Sequence, residues 1–245
     1  MTRSLAHVLH SLGLDQRRCA HCLRPFSPAD LTSPQDAFCP QCAVELKPHS
    51  GPCCHLCGLP LAGTHAPGNA VCGACLQDPP PWHALAFHGL YQGTLRDTLL
   101  QLKFDGKIYL AKALAYFLLE AASCLPLPDA VVAMPQHPNH LRNRGYNQAH
   151  ELARALCHLA ALNLRTDLLA RVVPGPAQAQ LSARARRENV RHSFRASPLT
   201  AGMTLWLLDD VMTTGSTLRS ATHALLTAGA DRVDVLFVAR TPQHT

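Results

Sequence analysis

Aromatic side chains make up only 5% of this 245-residue chain, so no interleaved platform for stacking nucleic-acid bases can be read from it. Lysine is scarce as well. Its four copies, Lys47, Lys103, Lys107 and Lys112, all precede the glycine- and threonine-rich stretch around residue 215. A G-x-x-x-x-G-K loop is therefore missing, which excludes a nucleoside-triphosphate P-loop. No uninterrupted apolar run approaches the roughly 18 residues of a membrane span. The opening MTRSLAHVLHSLGL lacks the apolar centre and the small-residue cleavage site of an export signal. Leu5, Val8, Leu9 and Leu12 instead recur at helical spacing, which predicts a docking helix within residues 1–18 and a cytoplasmic protein.

Cysteine, by contrast, is abundant and confined. Eight of the 11 cysteines form four C-x-x-C pairs before residue 80: Cys19/Cys22, Cys39/Cys42, Cys54/Cys57 and Cys72/Cys75. Two sulfurs from one such turn reach one ion, and two turns complete a tetrahedral Zn²⁺ shell. The intervening 16 and 14 residues predict two ribbons in tandem, each binding one zinc and paired in sequence order, with a crossed pairing as the alternative. Disulfides would need an oxidising compartment, against which the missing export signal argues. Thiolates fill all four positions on each ion, so the zinc is structural. Cys53 leaves the ligand choice of the second site open, and Cys124 and Cys157, alone in apolar helical patterns, read as buried small hydrophobes. The metal domain spans 19–78, and a proline-rich linker, 79–84, separates it from the domain at 85–245.

The densest chemical signal is LWLLDDVMTTGSTL, residues 205–218. Leu205 to Leu208 form a continuous apolar run, as in a strand covered on both faces. Asp209 and Asp210 stand where such a strand leaves the sheet, at the carboxyl edge where α/β proteins collect ligands. Thr213, Thr214, Gly215, Ser216 and Thr217 then lead into a helical stripe of Leu218, Ala221, Leu225 and Leu226. Unpaired amides and the helix dipole favour an anion at that junction. A pair of carboxylates would repel a bare phosphate, so the ligand must also offer hydroxyls or a divalent cation. A sugar phosphate bound with Mg²⁺ offers both.

Around this stretch strands alternate with helices. DAVVAMP, LLARVV and RVDVLFVAR read as strands. Leu95, Leu99 and Leu102, then Leu110, Leu114, Phe117 and Leu118, and NQAHELARALCHLA with Asn147 as its N-cap, read as helices. The pattern predicts an α/β fold with a parallel, Rossmann-like sheet. The net charge of +6 is uneven: ten arginines lie between Arg142 and Arg195, against Glu151, Asp167 and Glu188. Guanidinium groups bind phosphates in a bidentate way, although most of these arginines individually read as a solvated basic face.

LLDDVMTTGSTL resembles the signature of the type I phosphoribosyltransferases, whose acidic pair and threonine-rich loop grip phosphoribosyl pyrophosphate. More specifically, the four C-x-x-C pairs, YQGTLRDTLLQLKFDGK, MPQHPNHLRNRGYNQA, QAQLSARARRENV and LWLLDDVMTTGSTL occur in the order of the ComF family, proteins tied to natural competence and the use of incoming DNA. The resemblance implies that Asp209 and Asp210 hold the ribose hydroxyls, directly or through Mg²⁺, and that residues 213–217 hold the 5′-phosphate. It implies a pyrophosphate loop at Pro135 and Gln136, with Arg142 and Arg144 near it, and a closing loop carrying Arg186. Lys103 and Lys107 come from LKFDGK. Gln136 and Met134 depart from the family pattern. The acceptor-selecting hood would come mainly from residues 83–128. Three readings stay open: a phosphoribosyltransferase, a non-catalytic nucleic-acid-binding protein with single-stranded DNA and DNA-processing proteins as partners, and a sensor of phosphoribosyl pyrophosphate.

Overall fold

The computed structural model describes residues 16–27, 37–63, 68–136, 145–172 and 193–242. The docking helix expected near the N-terminus lies, up to residue 15, outside them. Arg17–Arg18 (β1) and Pro25–Phe26 (β2) pair antiparallel around the first cysteine knuckle. Two short helices, α1 (Pro40–Glu45) and α2 (Gly73–Gln77), each begin directly after a cysteine. Then follow β3 (Ala84–Leu90), α3 (Gly93–Phe104), α4 (Leu110–Ala121), β4 (Ala130–Ala133), α5 (Gln148–Ala160), β5 (Leu169–Arg171), β6 (Phe194–Ala196), β7 (Thr204–Met212), α6 (Ser216–Thr227) and β8 (Arg232–Arg240).

The main sheet is parallel, in the order β3-β8-β7-β4. Its two inner strands explain their own composition. Leu205 to Leu208 of β7 and Val233 to Ala239 of β8 are buried, and strands covered on both faces need apolar residues at every position. Even Asp234, the exception in β8, is buried and accepts from Arg232 Nε at 2.8 Å. Helices α4 and α5 pack on the sheet through fully buried Leu114, Leu118, Leu152 and Leu156.

Two expectations change, and one strand was not foreseen. The strand at residues 168–173 exists as β5 but pairs antiparallel with β6, outside the parallel sheet. β3 was not legible, because His88 and Gly89 interrupt its apolar run. Cys124, expected to be buried, is exposed in the 3₁₀ turn after α4, whereas Cys157 is buried in α5.

The cysteine-rich segment covers the outer edge of β3. The His49 amide donates to the His88 carbonyl at 2.7 Å, and His88 Nε2 lies 2.7 Å from the Leu46 carbonyl oxygen. Phe38 stacks on Phe117 with centroids 5.8 Å apart, and His88 stacks on the same ring at 4.0 Å. An exposed strand edge invites pairing with other chains, and here the metal-binding segment fills that edge. Among the described residues no helix is long and apolar enough to cross a membrane.

Asn147 caps α5 as expected, its Oδ1 accepting from the Ala149 and His150 amides at 3.0 and 3.4 Å. Its Nδ2 also donates to the Met134 carbonyl at 3.0 Å, fixing the turn that leaves β4. Asn147→Ala should cost about 1 kcal/mol, seen as a fall of about 2–4 °C in the thermal midpoint. Asn147→Asp should recover only the capping share, since it cannot donate to Met134.

Candidate functional site

The site begins where two neighbouring strands end at different heights. β4 pairs with β7 from Leu205 to Leu208 and then stops, while β7 continues beside β8 to Met212. Beyond Leu208 one flank of β7 is therefore free, and Asp209 and Asp210 occupy that stretch. The Asp210 amide donates to Asp209 Oδ1 at 2.9 Å, and the Val211 amide to Asp210 Oδ1 at 2.8 Å. Lys103, in the last turn of α3, reaches Asp210 Oδ2 at 3.7 Å. Burial, added to the charge of Asp210, raises the Asp209 carboxyl well above the usual carboxylate range, and the Asp210 amide and Lys103 only partly offset this. The pair is short of positive charge, which suits a divalent cation.

The loop after β7 faces solvent at Thr213, Thr214 and Ser216, with Gly215 buried between them. Gly215 is the N-cap of α6 at φ 76°, where L side chains are strained, and an added Cβ would lie 2.5 Å from Met212 Cε. The N-cap residue offers no side chain, and the one side-chain acceptor at the first turn is Thr214 Oγ1, 3.4 Å from the Ser216 amide, so the other first-turn amides stay available to an anion. Thr214 Oγ1 lies 3.1 Å from Ser216 Oγ, which presents two hydroxyls together.

The turn after β4 lies beside the acidic pair, since the Met134 amide donates to the Leu208 carbonyl at 2.8 Å. Gln136 Nε2 donates to Gln148 Oε1 at 2.6 Å, and buried Gln148 donates on to the Lys103 carbonyl at 3.4 Å. Gln136 Oε1 is buried without a protein partner. Pro135 and Gln136 thus adjoin the residues that hold Lys103 against Asp210. Arg142, Arg144 and Arg186 lie outside the described residues. Of the described belt arginines, Arg154 and Arg165 are committed to local ion pairs with Glu151 and Asp167, each at 2.6 Å. Lys107 donates to Gln101 Oε1 at 3.0 Å and not to the acidic pair.

The metal-ligand sets are sequential. Sγ atoms of Cys19, Cys22, Cys39 and Cys42 lie within 4.8 Å of one another, as do those of Cys54, Cys57, Cys72 and Cys75. Cys53 stays out of the second set and forms a β-bridge with Pro60. Burial pushes the Cys42 and Cys75 thiols up, out of their usual range. At Cys22 and Cys54 burial acts the same way, but backbone hydrogen bonds from Arg24 and Cys72 help to outweigh it, and both fall to about 7. Four clustered thiols become four thiolates only with a cation among them, and four-cysteine sets of this kind suit Zn²⁺.

Residues 14–76 match the double zinc ribbon domain and residues 141–245 the phosphoribosyl transferase domain. DNA utilization protein YhgH of Salmonella typhi is 36% identical over 194 residues, covering 77% of this chain and 84% of that protein. Competence protein F of Haemophilus influenzae is 29% identical over 234 residues, covering 91% and 96%. Competence protein ComFC of Bacillus subtilis is 27% identical over 215 residues, covering 81% and 82%. The chain belongs to the ComF family. Its fold is a type I phosphoribosyltransferase domain preceded by two zinc ribbons, each with four cysteine ligands.

In this ComF-family chain, sequence reasoning missed several residues that adjoin the acidic pair and the 213–217 loop. Arg171, on β5, has a buried Nε without a protein partner, lies 5.6 Å from the Phe194 ring and feels the charge of Asp209. Trp82, just past the three prolines, donates to the Leu56 carbonyl at 2.7 Å. Arg240 is buried at the end of β8. None belongs to a local motif, and only spacing across strands brings them in.

Metal analysis of protein purified without oxidation should find two zinc ions per chain. Asp209→Asn should raise the thermal midpoint of the ligand-free protein at neutral pH. A carboxyl whose folded pKa is raised contributes stability below its unfolded pKa and loses it as pH rises. The gain, about 2–4 °C per kcal/mol relieved, should therefore vanish on acidification toward pH 4, measured by a pH series of melts.

Proposed function

We propose that this chain binds phosphoribosyl pyrophosphate together with Mg²⁺ at the free end of β7, and that it serves the handling of incoming DNA during natural competence. The observation that carries the ligand reading is the Asp209–Asp210 pair, desolvated and answered by Lys103 at 3.7 Å and by the charge of Arg171, directly ahead of a helix start whose N-cap residue has no side chain. An anion site alone would not keep two carboxylates beside it. Mg²⁺ would supply charge neutralisation for the diphosphate. Asp209 and Asp210 would accept the ribose hydroxyls or hold the metal, and the amides and hydroxyls of 213–217 would hold the 5′-phosphate. Pro135 and Gln136 would offer backbone to the diphosphate, with Arg142, Arg144 and Arg186 as its cationic partners. A phosphoribosyl transfer, in which the acceptor displaces diphosphate from ribose C1, is the reaction such a site would perform. The competence relatives support the biological role, and single-stranded DNA is the macromolecular partner that role suggests.

Calorimetry on the Asp209→Ala, Asp210→Ala double variant tests the reading. Binding should weaken by about 2–5 kcal/mol and lose its Mg²⁺ dependence, with the far-ultraviolet spectrum unchanged. Tighter, metal-independent binding would overturn it, because a simple anion pocket gains from removal of two negative charges. Single-stranded DNA binding that survives the substitution would assign DNA to another surface.

A further inference from the structure

The second zinc ribbon and the phosphate loop are joined by one buried cation. Arg240 Nε donates to the carbonyl of Cys57, itself a metal ligand, at 2.8 Å. Its Nη1 donates to the carbonyls of Met212 at 3.1 Å, of Thr213, and of Thr241 at 2.7 Å. Among the described residues no carboxylate pairs with it, and the side chain is nearly inaccessible. Its acceptors among the described residues are all backbone carbonyls. That demands a definite arrangement of those carbonyls, since a buried cation without acceptors is costly.

The arrangement has a geometric consequence. A trans peptide points its carbonyl and the following N–H in opposite directions. Drawing the Met212 and Thr213 carbonyls onto Arg240 therefore turns the Thr213 and Thr214 amides away from it, and these open the loop that follows the acidic pair. A second strut runs in parallel. Trp82, bonded to the Leu56 carbonyl, packs its ring 3.5 Å from where a Gly215 Cβ would lie. Arg219, in the first turns of α6, lies over that ring at 5.8 Å. It donates to the carbonyls of Asp78 at 2.6 Å and Pro79 at 2.9 Å, just beyond Cys75.

The first ribbon has a different address. His21 Nδ1 lies 2.9 Å from Thr98 Oγ1 on α3, and Tyr109 Oη donates to the Ala20 carbonyl at 3.1 Å. The two metal centres are thus unequal in what they hold.

We infer that Arg240 is a positioning residue that couples the zinc-bound fold of the second ribbon to the anion-binding geometry of residues 213–217. The identity of the anion rests on the reading proposed above, but the coupling does not. With zinc bound, the Cys54–Cys57 knuckle holds the Cys57 carbonyl on Arg240. When the knuckle loosens, Arg240 loses that acceptor and its hold on the loop carbonyls relaxes.

Amide hydrogen exchange of the full-length zinc protein, read on the Arg219 and Thr241 amides that donate to the Gly215 and Met212 carbonyls at 2.8 and 3.0 Å and on β4 as an internal reference, tests this beside calorimetry with phosphoribosyl pyrophosphate and Mg²⁺. Arg240→Gln should retain two zinc ions yet exchange faster at these amides bonded to the loop, by about tenfold or more, with β4 unchanged. Arg240→Lys keeps the charge but cannot span all four carbonyls, and should fall between. Cys75→Ser, which empties the second site without touching Arg240, should reproduce the loop effect. Tyr109→Phe, which cuts a first-ribbon contact, should leave the loop at wild-type exchange. If Arg240→Gln does not fold, Arg240→Lys and Cys75→Ser carry the test. Unchanged loop exchange in both would overturn the coupling, as would equal acceleration by Tyr109→Phe. A wild-type protein that ignores phosphoribosyl pyrophosphate while its loop still follows Arg240 would refute the ligand and leave the coupling standing.

Discussion

Two carboxylates held side by side and partly out of water are the constraint around which this protein is arranged. Burial and the neighbouring charge of Asp210 raise the Asp209 carboxyl, and the fold tolerates the pair only because β4 ends one residue earlier than the first of them. That early end gives each carboxylate a backbone amide to accept from, admits Lys103 from α3, and keeps an approach for a ligand. A longer β4 would close the flank and leave the pair with neither solvent nor partner.

The remaining elements supply what such an edge lacks. Gly215 permits a left-handed turn immediately after the strand, so that the start of α6 arrives beside the carboxylates. Gln136 and Gln148 link the turn after β4 to the main chain of Lys103. Anion donors, a lysine and paired acids are thereby collected from three separate segments. No single segment has enough of them to define a ligand.

The zinc ribbons have two physical duties. Their first is mechanical: a segment with little apolar core of its own folds around metal and then covers the otherwise open edge of β3. Their second is local, because the carbonyls of Leu56, Cys57, Asp78 and Pro79 all receive donors from the residues around the 213–217 loop. A Pro-Pro-Pro stretch read alone implies a spacer. Trp82 and Arg219 instead fasten the chain on both sides of it to the loop.

What the amino-acid order determined by itself was local. Cysteine spacing implied two four-thiolate sites, because a C-x-x-C turn brings two sulfurs to one ion whatever surrounds it. LWLLDDVMTTGSTL implied strand, acidic edge and anion loop, because apolar continuity, like charges and a glycine among hydroxyls each have a short-range cause. Asn147 announced its helix for the same reason. Tertiary structure decided everything that depends on distance along the chain. It paired β5 with β6 outside the main sheet, set β3 at an edge despite its broken apolar run, and exposed Cys124. It also brought Lys103 to Asp210 and Arg240 to Cys57, contacts between segments far apart in the sequence. A cation carries no sign in its own neighbourhood of which carbonyl or carboxylate will meet it. That partner is chosen by strand order and register, which emerge only when the whole core is packed.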